Sequence, residues 1–336
     1  MRKPFSRRSH SAARRSPASP VSSVSRRSRR KSCRIRLGSE ITRRESGENP
    51  PARQCPARRF PHPPFPDNRR YRLDATAASG HPRVMALEHG YETLARYYDA
   101  ACGAILPRRG DIEFYRSLAE ERGGPVLELG CGTGRVLLPV AEAGIECVGI
   151  DPSPAMLEVF RGKPGADRVE LHCNSMQAFD LGAHRFEVIF AAFRSFQHLL
   201  TVDDQLDAPT LARAHLAPGG LFAFDVFNPD PSRLAHPEDP EHPAGEFRLG
   251  GKLVRQFTRC RRDRCRQVAH VVTRLETWDG ETKEQEDRVE MDLRWFHLFE
   301  LEHLLYRAGF AEVEIFGDFA RGPVREDSAD LVVVAQ

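Results

Sequence analysis

The sequence predicts an α/β fold: a doubly wound sheet of seven strands with an antiparallel β insertion after the fifth strand. Two patterns predict it. Short apolar runs of strand length alternate with segments in which apolar residues recur at helical spacing, as in parallel strands joined by helices. Between residues 246 and 294 the pattern changes to three longer runs that are polar on one side, which is typical of antiparallel strands with one face in water.

The segment from residue 126 to residue 151 predicts a ligand site. It consists of a buried-type strand, Val126 to Leu129, then a loop, a helix and a second strand that ends at Asp151. The loop contains three glycines: Gly130, Gly132 and Gly134. Glycine has no Cβ, so such a loop can turn tightly and its backbone can approach a ligand. In a doubly wound, Rossmann-like sheet the ligand binds beyond the carboxyl ends of the strands, where the Asp151 carboxylate can accept hydrogen bonds from both hydroxyls of a ribose.

The glycine spacing distinguishes two classes of adenosine cofactor. A dinucleotide site has the pattern G-x-G-x-x-G and faces a pyrophosphate. Here the third glycine comes one residue early, and Arg135 stands at the fingerprint position. Glu128, two residues before the first glycine, would repel a pyrophosphate but suits a cationic ligand. The spacing therefore disfavours the dinucleotide alternative.

These residues resemble motif I of the class I S-adenosylmethionine (SAM)-dependent methyltransferases, E-x-G-x-G-x-G. Asp151 matches the acidic residue of motif II, and Pro218-Gly219-Gly220 before the fifth strand is similar to the same family. The resemblance implies SAM as the cofactor, methyl transfer to an oxygen or nitrogen of a small-molecule acceptor, and an insertion that covers the acceptor pocket. The cofactor-binding residues it implies are Tyr97, Glu128, Gly130, Cys131, Gly132, Thr133, Gly134, Asp151, Pro152, Ser153, Met156, Ser175 and Met176.

Three of these assignments have an alternative interpretation. Tyr97 ends a first helix, expected over residues 87–99, where the resemblance implies a tyrosine that closes over the cofactor; aromatic residues on a helix also pack in cores. Met156 can equally be a core residue. Ser175 stands where the family has an aspartate that contacts adenine, and a neutral hydroxyl would accept a weaker hydrogen bond than a carboxylate.

No catalytic base is compelling in the sequence. The candidates are His198, Arg194 and Tyr98, of which the first two follow strand four at the expected mouth of the pocket. A histidine has an unperturbed pKa near 6.5 and can act as a base, but His198 can also be a residue that is hydrogen-bonded to backbone. Five arginines at the first hairpin of the insertion predict a solvated tip or a site for an anionic acceptor: Arg259, Arg261, Arg262, Arg264 and Arg266.

The other elements follow in chain order. Pro209 is expected to kink or divide the helix that Thr201 and Asp204 begin. Residues 231–245 are rich in proline and charge, which predicts a loop, so the insertion spans 231–295. A last helix ends at Gly309, and two strands complete the sheet.

The first 84 residues differ from the rest of the chain. They contain 22 Lys and Arg against 5 Asp and Glu and few aliphatic residues, so we expect a disordered basic arm before a domain over 85–336. The arm can bind nucleic acid or another anionic surface, act as a transit-like leader, or lie upstream of a true start at Met85. The alternative function is therefore a nucleic-acid-associated SAM-dependent modifier, or a catalytically idle SAM-binding protein.

Cysteine usage predicts a reducing, cytoplasmic compartment. The eight cysteines are scattered without a C-x-x-C pair, and no ligand cluster predicts a metal site. No apolar run approaches the length of a membrane span, so no membrane partner is expected. The sequence does not predict an oligomeric state.

Overall fold

The computed structural model describes residues 82–105 and 110–336, with side chains from residue 90 onward. The expectations for the basic arm therefore concern residues that, up to residue 81, lie outside the described part. None of the described helices is long and apolar enough to cross a membrane.

The first helix, α1, runs from Pro82 to Ile105 and is longer at both ends than the expected 87–99. Its residues Tyr97 and Ala95 are buried. Tyr97 packs in an apolar cluster with Phe247, Val254 and Leu275, which belong to the β insertion. This helix therefore joins the insertion to the rest of the fold.

The main sheet has seven strands in the order β10-β11-β5-β4-β1-β2-β3, as the fold prediction requires. The strands are β1 (Val126–Leu129), β2 (Cys147–Asp151), β3 (Val169–Cys173), β4 (Phe186–Ala191), β5 (Leu216–Phe227), β10 (Val313–Phe316) and β11 (Asp330–Ala335). Strands β1 to β5 are parallel to one another, and β11 is antiparallel to β5 and β10. The strand order reverses between β1 and β4, which is where such sheets bind ligands.

Helices cover both faces of this sheet. They are α2 (Asp111–Arg122), α3 (Leu137–Glu142), α4 (Pro154–Arg161), α5 (Val202–His215) and α7 (Leu298–Ala308), while the short α6 (Pro231–Leu234) follows β5 and buries no residue. One apolar layer holds buried residues of α5 and α7, and the other holds those of α2, α3 and α4. The central strand β1 is buried throughout, as a strand covered on both faces should be.

The β insertion is a separate antiparallel sheet in the order β6-β7-β8-β9. Its strands are β6 (Glu238–Leu249), β7 (Lys252–Asp263), β8 (Val268–Asp279) and β9 (Thr282–Arg294). The predicted loop over 231–245 is wrong for residues 231–234, which form α6, and for residues 238–245, which belong to β6. The prolines that suggested a loop, Pro240 and Pro243, are accommodated because β6 is an edge strand with irregular register at 239–242 and 243–245.

The expected division of the helix at Pro209 into two pieces is also wrong. α5 is one helix from Val202 to His215, with Pro209 inside it. Proline removes one helical hydrogen bond. Pro209, Ala208 and Ala212 are buried together, so tertiary packing of this face outweighs the lost bond.

Candidate active site

A cavity of about 460 Å³ lies at the carboxyl ends of β1, β2 and β4, within the size range of small-molecule sites. The glycine loop and the residues after β2 form one half of its wall. Side chains of α1, of the loop after β4 and of β7, β8 and β9 form the other half. We call these the cofactor half and the acceptor half.

Eight of the thirteen residues implied for the cofactor line this cavity. They are Gly130, Gly132, Asp151, Pro152, Ser153, Met156, Ser175 and Met176. Met156 and Met176 are also almost fully buried, so core packing and cavity lining coexist at these positions. The assignment of these residues to cofactor binding stays a prediction.

The Asp151 carboxylate is anchored by the backbone at the end of β2. It accepts hydrogen bonds from the backbone N–H of Gly132 and of Ser153, both at 2.8 Å. Burial raises its pKa to about 6, and the two N–H donors oppose this shift. Each carboxylate oxygen retains a further acceptor site, so the group can also receive ribose hydroxyls.

Glu128 on β1 is a buried carboxylate with an unsatisfied atom. Its Oε2 has no hydrogen-bond partner in the structure. Burial raises its pKa well above the usual range, while Arg135 and the backbone N–H of Leu137 oppose the shift and Asp151 adds to it. An orphaned buried acceptor is unfavourable unless a donor reaches it. An ammonium group such as the one on SAM is a suitable donor, so this residue fits the implied cofactor.

Two glycines of the loop are required for different reasons. Gly134 has φ +81°, and a Cβ there would lie 2.5 Å from the Phe160 ring, so a side chain would force the loop away from α4. Gly132 has φ +53° and nothing within 4 Å of the position of a Cβ. It lines the cavity, so its missing side chain leaves room for a ligand beside the backbone.

Tyr97 is not placed at the cavity, and this corrects its predicted role. Its hydroxyl donates to Asp287 of β9 at 2.5 Å, and its ring packs on Phe247. Tyr98 lines the cavity instead, because adjacent residues on a helix point about 100° apart. The Tyr98 ring meets Phe193 edge to face, and burial raises the pKa of its hydroxyl well above the usual range.

Four other implied residues lie behind the cavity wall. Cys131 packs in the core, Gly134 lies against the Phe160 ring, and Glu128 is buried on β1 with its Oε2 unpaired. The Thr133 hydroxyl donates to Asp99 of α1 at 2.7 Å. Asp99 also pairs with Lys163 at 2.7 Å, so this group attaches α1 to the cofactor half.

A tyrosine and a histidine form the polar centre of the acceptor half. The Tyr91 hydroxyl lies 2.8 Å from Nε2 of His198, and the rings meet edge to face. Burial lowers the pKa of His198 to about 4, so the imidazole is neutral at neutral pH. Its Nδ1 is buried and forms no hydrogen bond, although the backbone of Asp292 lies near enough to oppose part of the shift. Sequence reasoning missed Tyr91, although it lies two helical turns before Tyr98 on the same face of α1.

The loop that carries Arg194 has a strained backbone. Phe193 and Arg194 both have positive φ, 55° and 67°. The loop is held by Asp225 of β5, which accepts hydrogen bonds from the Phe193 N–H at 2.7 Å and from the Tyr115 hydroxyl at 2.9 Å. Strain of this kind persists where the surroundings impose it, often at functional sites.

The remaining acceptor wall is uncharged. It has apolar side chains and three neutral hydrogen-bonding ones, Gln256, Thr258 and Thr273, from β7 and β8. The arginines of the first hairpin do not line this cavity, and Arg262 is paired with Asp239. Within the described residues, no cluster of three or more His, Cys, Asp or Glu can hold a metal ion.

Comparison with known proteins gives consistent matches. Residues 126–220 match the family model described as a methyltransferase domain. A putative methyltransferase of Bacillus subtilis, YqeM, is 25% identical over 225 residues, which cover 63% of this chain and 84% of that protein. The cypemycin N-terminal methyltransferase of Streptomyces sp is 31% identical over 144 residues, 41% of this chain and 56% of the relative, so this chain spans about half its length.

A solved structure extends the similarity beyond the matched domain. The methyltransferase CcbJ from Streptomyces caelestis superposes with a TM-score of 0.64 at 29% identity, and covers 74% of this chain and 97% of its own. The family match contains Glu128, the glycine loop, Asp151 and Pro218 to Gly220, which are the residues that carried the resemblance.

Proposed function

Because this chain belongs to the class I SAM-dependent methyltransferases, we propose that its acceptor is a small-molecule amine that binds uncharged. We further propose that Tyr91 and His198 receive the proton that the nitrogen releases. The observation that carries the proposal is the hydrogen bond between these two residues inside the cavity.

The residues of the cofactor half are assigned to holding SAM. Asp151 would bind the ribose, and Glu128 the ammonium group. SAM supplies a methyl group on a positively charged sulfur, which is already activated for displacement. The chain therefore contributes mainly orientation and exclusion of water.

The properties of His198 favour nitrogen over oxygen as the nucleophile. A base with a pKa of about 4 is too weak to withdraw the proton of an aliphatic alcohol. An uncharged amine presents a free lone pair and needs only to be oriented. Its N–H becomes more acidic as the nitrogen gains the methyl group and a positive charge, and the His198 imidazole has to carry the proton only transiently before solvent takes it.

The proton has a defined path. In the tautomer with its proton on Nδ1, His198 accepts at Nε2 from the Tyr91 hydroxyl, and the Tyr91 oxygen then accepts from the N–H of the acceptor. The N–H proton moves to Tyr91 as the Tyr91 proton moves to Nε2. Because the pKa of His198 is low, the imidazolium releases its proton readily to solvent.

The lack of a carboxylate among the described residues of the acceptor half favours an amine that binds without a charge. Asp151 is the only carboxylate among the described cavity-lining residues, and it belongs to the cofactor half. An ammonium ion would therefore be buried there without a counter-ion, which is unfavourable. By its name, the cypemycin relative acts at an N-terminus, which agrees with an amine acceptor.

A metabolite screen tests the proposal. The purified enzyme is incubated with SAM and a small-molecule extract, and products that gain one methyl group are identified by mass spectrometry. We expect N-methylated products, whose formation falls in Tyr91→Phe and not in the exposed control Tyr306→Phe. Products methylated on oxygen alone would contradict the assignment of an amine.

We also propose that the enzyme works in the cytoplasm. The six cysteines in the described part are all free thiols, as expected in a reducing compartment. Fractionation of cells that produce the protein, followed by immunodetection, tests this. Recovery from an oxidising compartment would contradict it.

A further inference from the structure

Arg194 lies at the junction between the cofactor half and the acceptor half. The next residue, Ser195, is so close to the glycine loop that a Cβ on Gly130 would lie 2.9 Å from its Oγ. Four residues further on is His198, in the acceptor half. Among the described residues that line the cavity, Arg194 is the only arginine or lysine.

The guanidinium of Arg194 is held in place but not fully satisfied. Its Nη2 donates to Asp330 at 3.2 Å, and the group lies 5.6 Å from the centre of the Phe227 ring. Its Nε is buried and has no hydrogen-bond partner. A buried donor without an acceptor is unfavourable in a folded protein.

We propose that Arg194 forms a carboxylate-binding subsite at this junction, an inference that rests on the proposed function. A guanidinium presents a planar fork of N–H donors that matches the two oxygens of a carboxylate. Asp330 and Phe227 hold the guanidinium from one side, while the residue itself lines the cavity. The carboxylate can belong to the methionine part of SAM or to the acceptor.

The backbone strain supports a ligand role for this loop. Positive φ at two consecutive residues, Phe193 and Arg194, is unfavourable for side chains with a Cβ. A purely structural contact with Asp330 does not require Arg194 to line the cavity, yet Arg194 is one of the lining residues. The strained loop thus places Arg194, the only arginine or lysine among the described lining residues, at the junction of the two halves.

Calorimetric titration separates the two sources of the carboxylate. The first arm compares SAM with 5′-methylthioadenosine, which lacks the amino-acid part. If the cofactor supplies the carboxylate, Arg194→Gln weakens SAM binding about tenfold and leaves methylthioadenosine binding unchanged.

The second arm titrates SAM-loaded protein with benzoate and with benzamide. If the acceptor supplies the carboxylate, the wild type binds benzoate about tenfold more tightly than benzamide, and Arg194→Gln loses that preference.

Two further variants control for damage to the fold. Arg194→Lys keeps the charge and should retain part of the effect, and Arg185→Gln removes an exposed arginine that contacts only nearby backbone. The subsite is refuted if Arg194→Gln leaves SAM binding unchanged and the wild type does not prefer benzoate. A folded wild type that binds neither nucleoside would instead refute the proposed function, and the subsite with it.

Discussion

Tyr91 of α1 and His198, which follows β4, share a 2.8 Å hydrogen bond although 107 residues separate them in the chain. The contact joins α1 to the short helical turn, Ser195–His198, that follows β4. Because both residues line the acceptor half, the bond places a neutral proton acceptor beside the space where a nucleophile would lie.

The first prediction concerns this pair. Tyr91→Phe removes the hydroxyl that passes the proton to His198, so kcat for an amine acceptor should fall by about 10²-fold, the lower range for general base catalysis. The affinity for SAM, measured by calorimetry, should not change. Tyr306→Phe, at an exposed tyrosine, is the matched control. An unchanged kcat in Tyr91→Phe would remove the tyrosine from the mechanism.

The second prediction concerns the pH dependence of stability. The pKa of His198 is lowered from 6.5 to about 4, so the unfolded state binds more protons between these values and stability is lost as pH falls. The pKa of Asp151 is raised from 3.8 to about 6, so the native state binds more protons and stability is lost as pH rises. Each effect amounts to about 2 to 3 kcal/mol, after partial solvent exposure of the histidine is allowed for.

These two groups therefore oppose each other between about pH 4 and pH 6. We expect the free energy of unfolding of His198→Asn, minus that of wild type, to fall as pH rises through this window. For Asp151→Asn we expect the same difference to rise. Urea unfolding at several pH values measures the differences. Parallel profiles for the two variants would show that one of the shifts is absent.

The third prediction concerns Glu128. Its carboxylate is buried with one oxygen unpaired and a raised pKa, so ionisation destabilises the protein without a ligand. Glu128→Gln should raise the free energy of unfolding by about 1 to 3 kcal/mol, and more at pH 8 than at pH 5, because the unfolded wild type releases its proton while the native carboxyl holds it. The same change should weaken SAM binding. A variant that is less stable at both pH values would contradict this interpretation.

The fourth prediction separates two effects of a side chain at a glycine. Gly134 and Gly144 have similar φ values, +81° and +85°, but only Gly134 has a neighbour within 4 Å of a Cβ, the Phe160 ring. Gly144→Ala should cost about 1 kcal/mol from backbone strain alone. Gly134→Ala should cost about 1 to 3 kcal/mol more, and Phe160→Leu in the same protein should recover part of it. Equal effects at the two glycines would rule out the ring contact as the cause.

The cofactor half was more predictable than the acceptor half for a physical reason. The glycine loop, the strand before it and Asp151 lie within 26 residues, so their spacing is fixed by local geometry. The acceptor half assembles from α1, the loop after β4 and the insertion, through contacts such as Tyr91 with His198 that sequence order does not reveal.

Short sequence patterns also gave wrong predictions where packing against distant parts of the chain decided the structure. The orientation of α1 decides which of two adjacent residues faces the cavity. Tyr98 lines it, whereas Tyr97 points to Asp287 of the insertion. The prolines of residues 238–245 read as a loop, but an edge strand tolerates them. Pro209 reads as a helix break, but it is buried within an otherwise intact α5.

Helix α1 is fastened at two places along its length. Asp99 bonds Thr133 and Lys163 on the nucleoside side, and two turns of α1 away Tyr91 reaches His198 on the other. Because one helix carries both attachments, a ligand that moved α1 at one of them would move it at the other, and filling one half of the cavity would then alter the free energy of filling its neighbour. By thermodynamic reciprocity any such coupling factor is identical in both directions, so each substrate would change the affinity of the other equally.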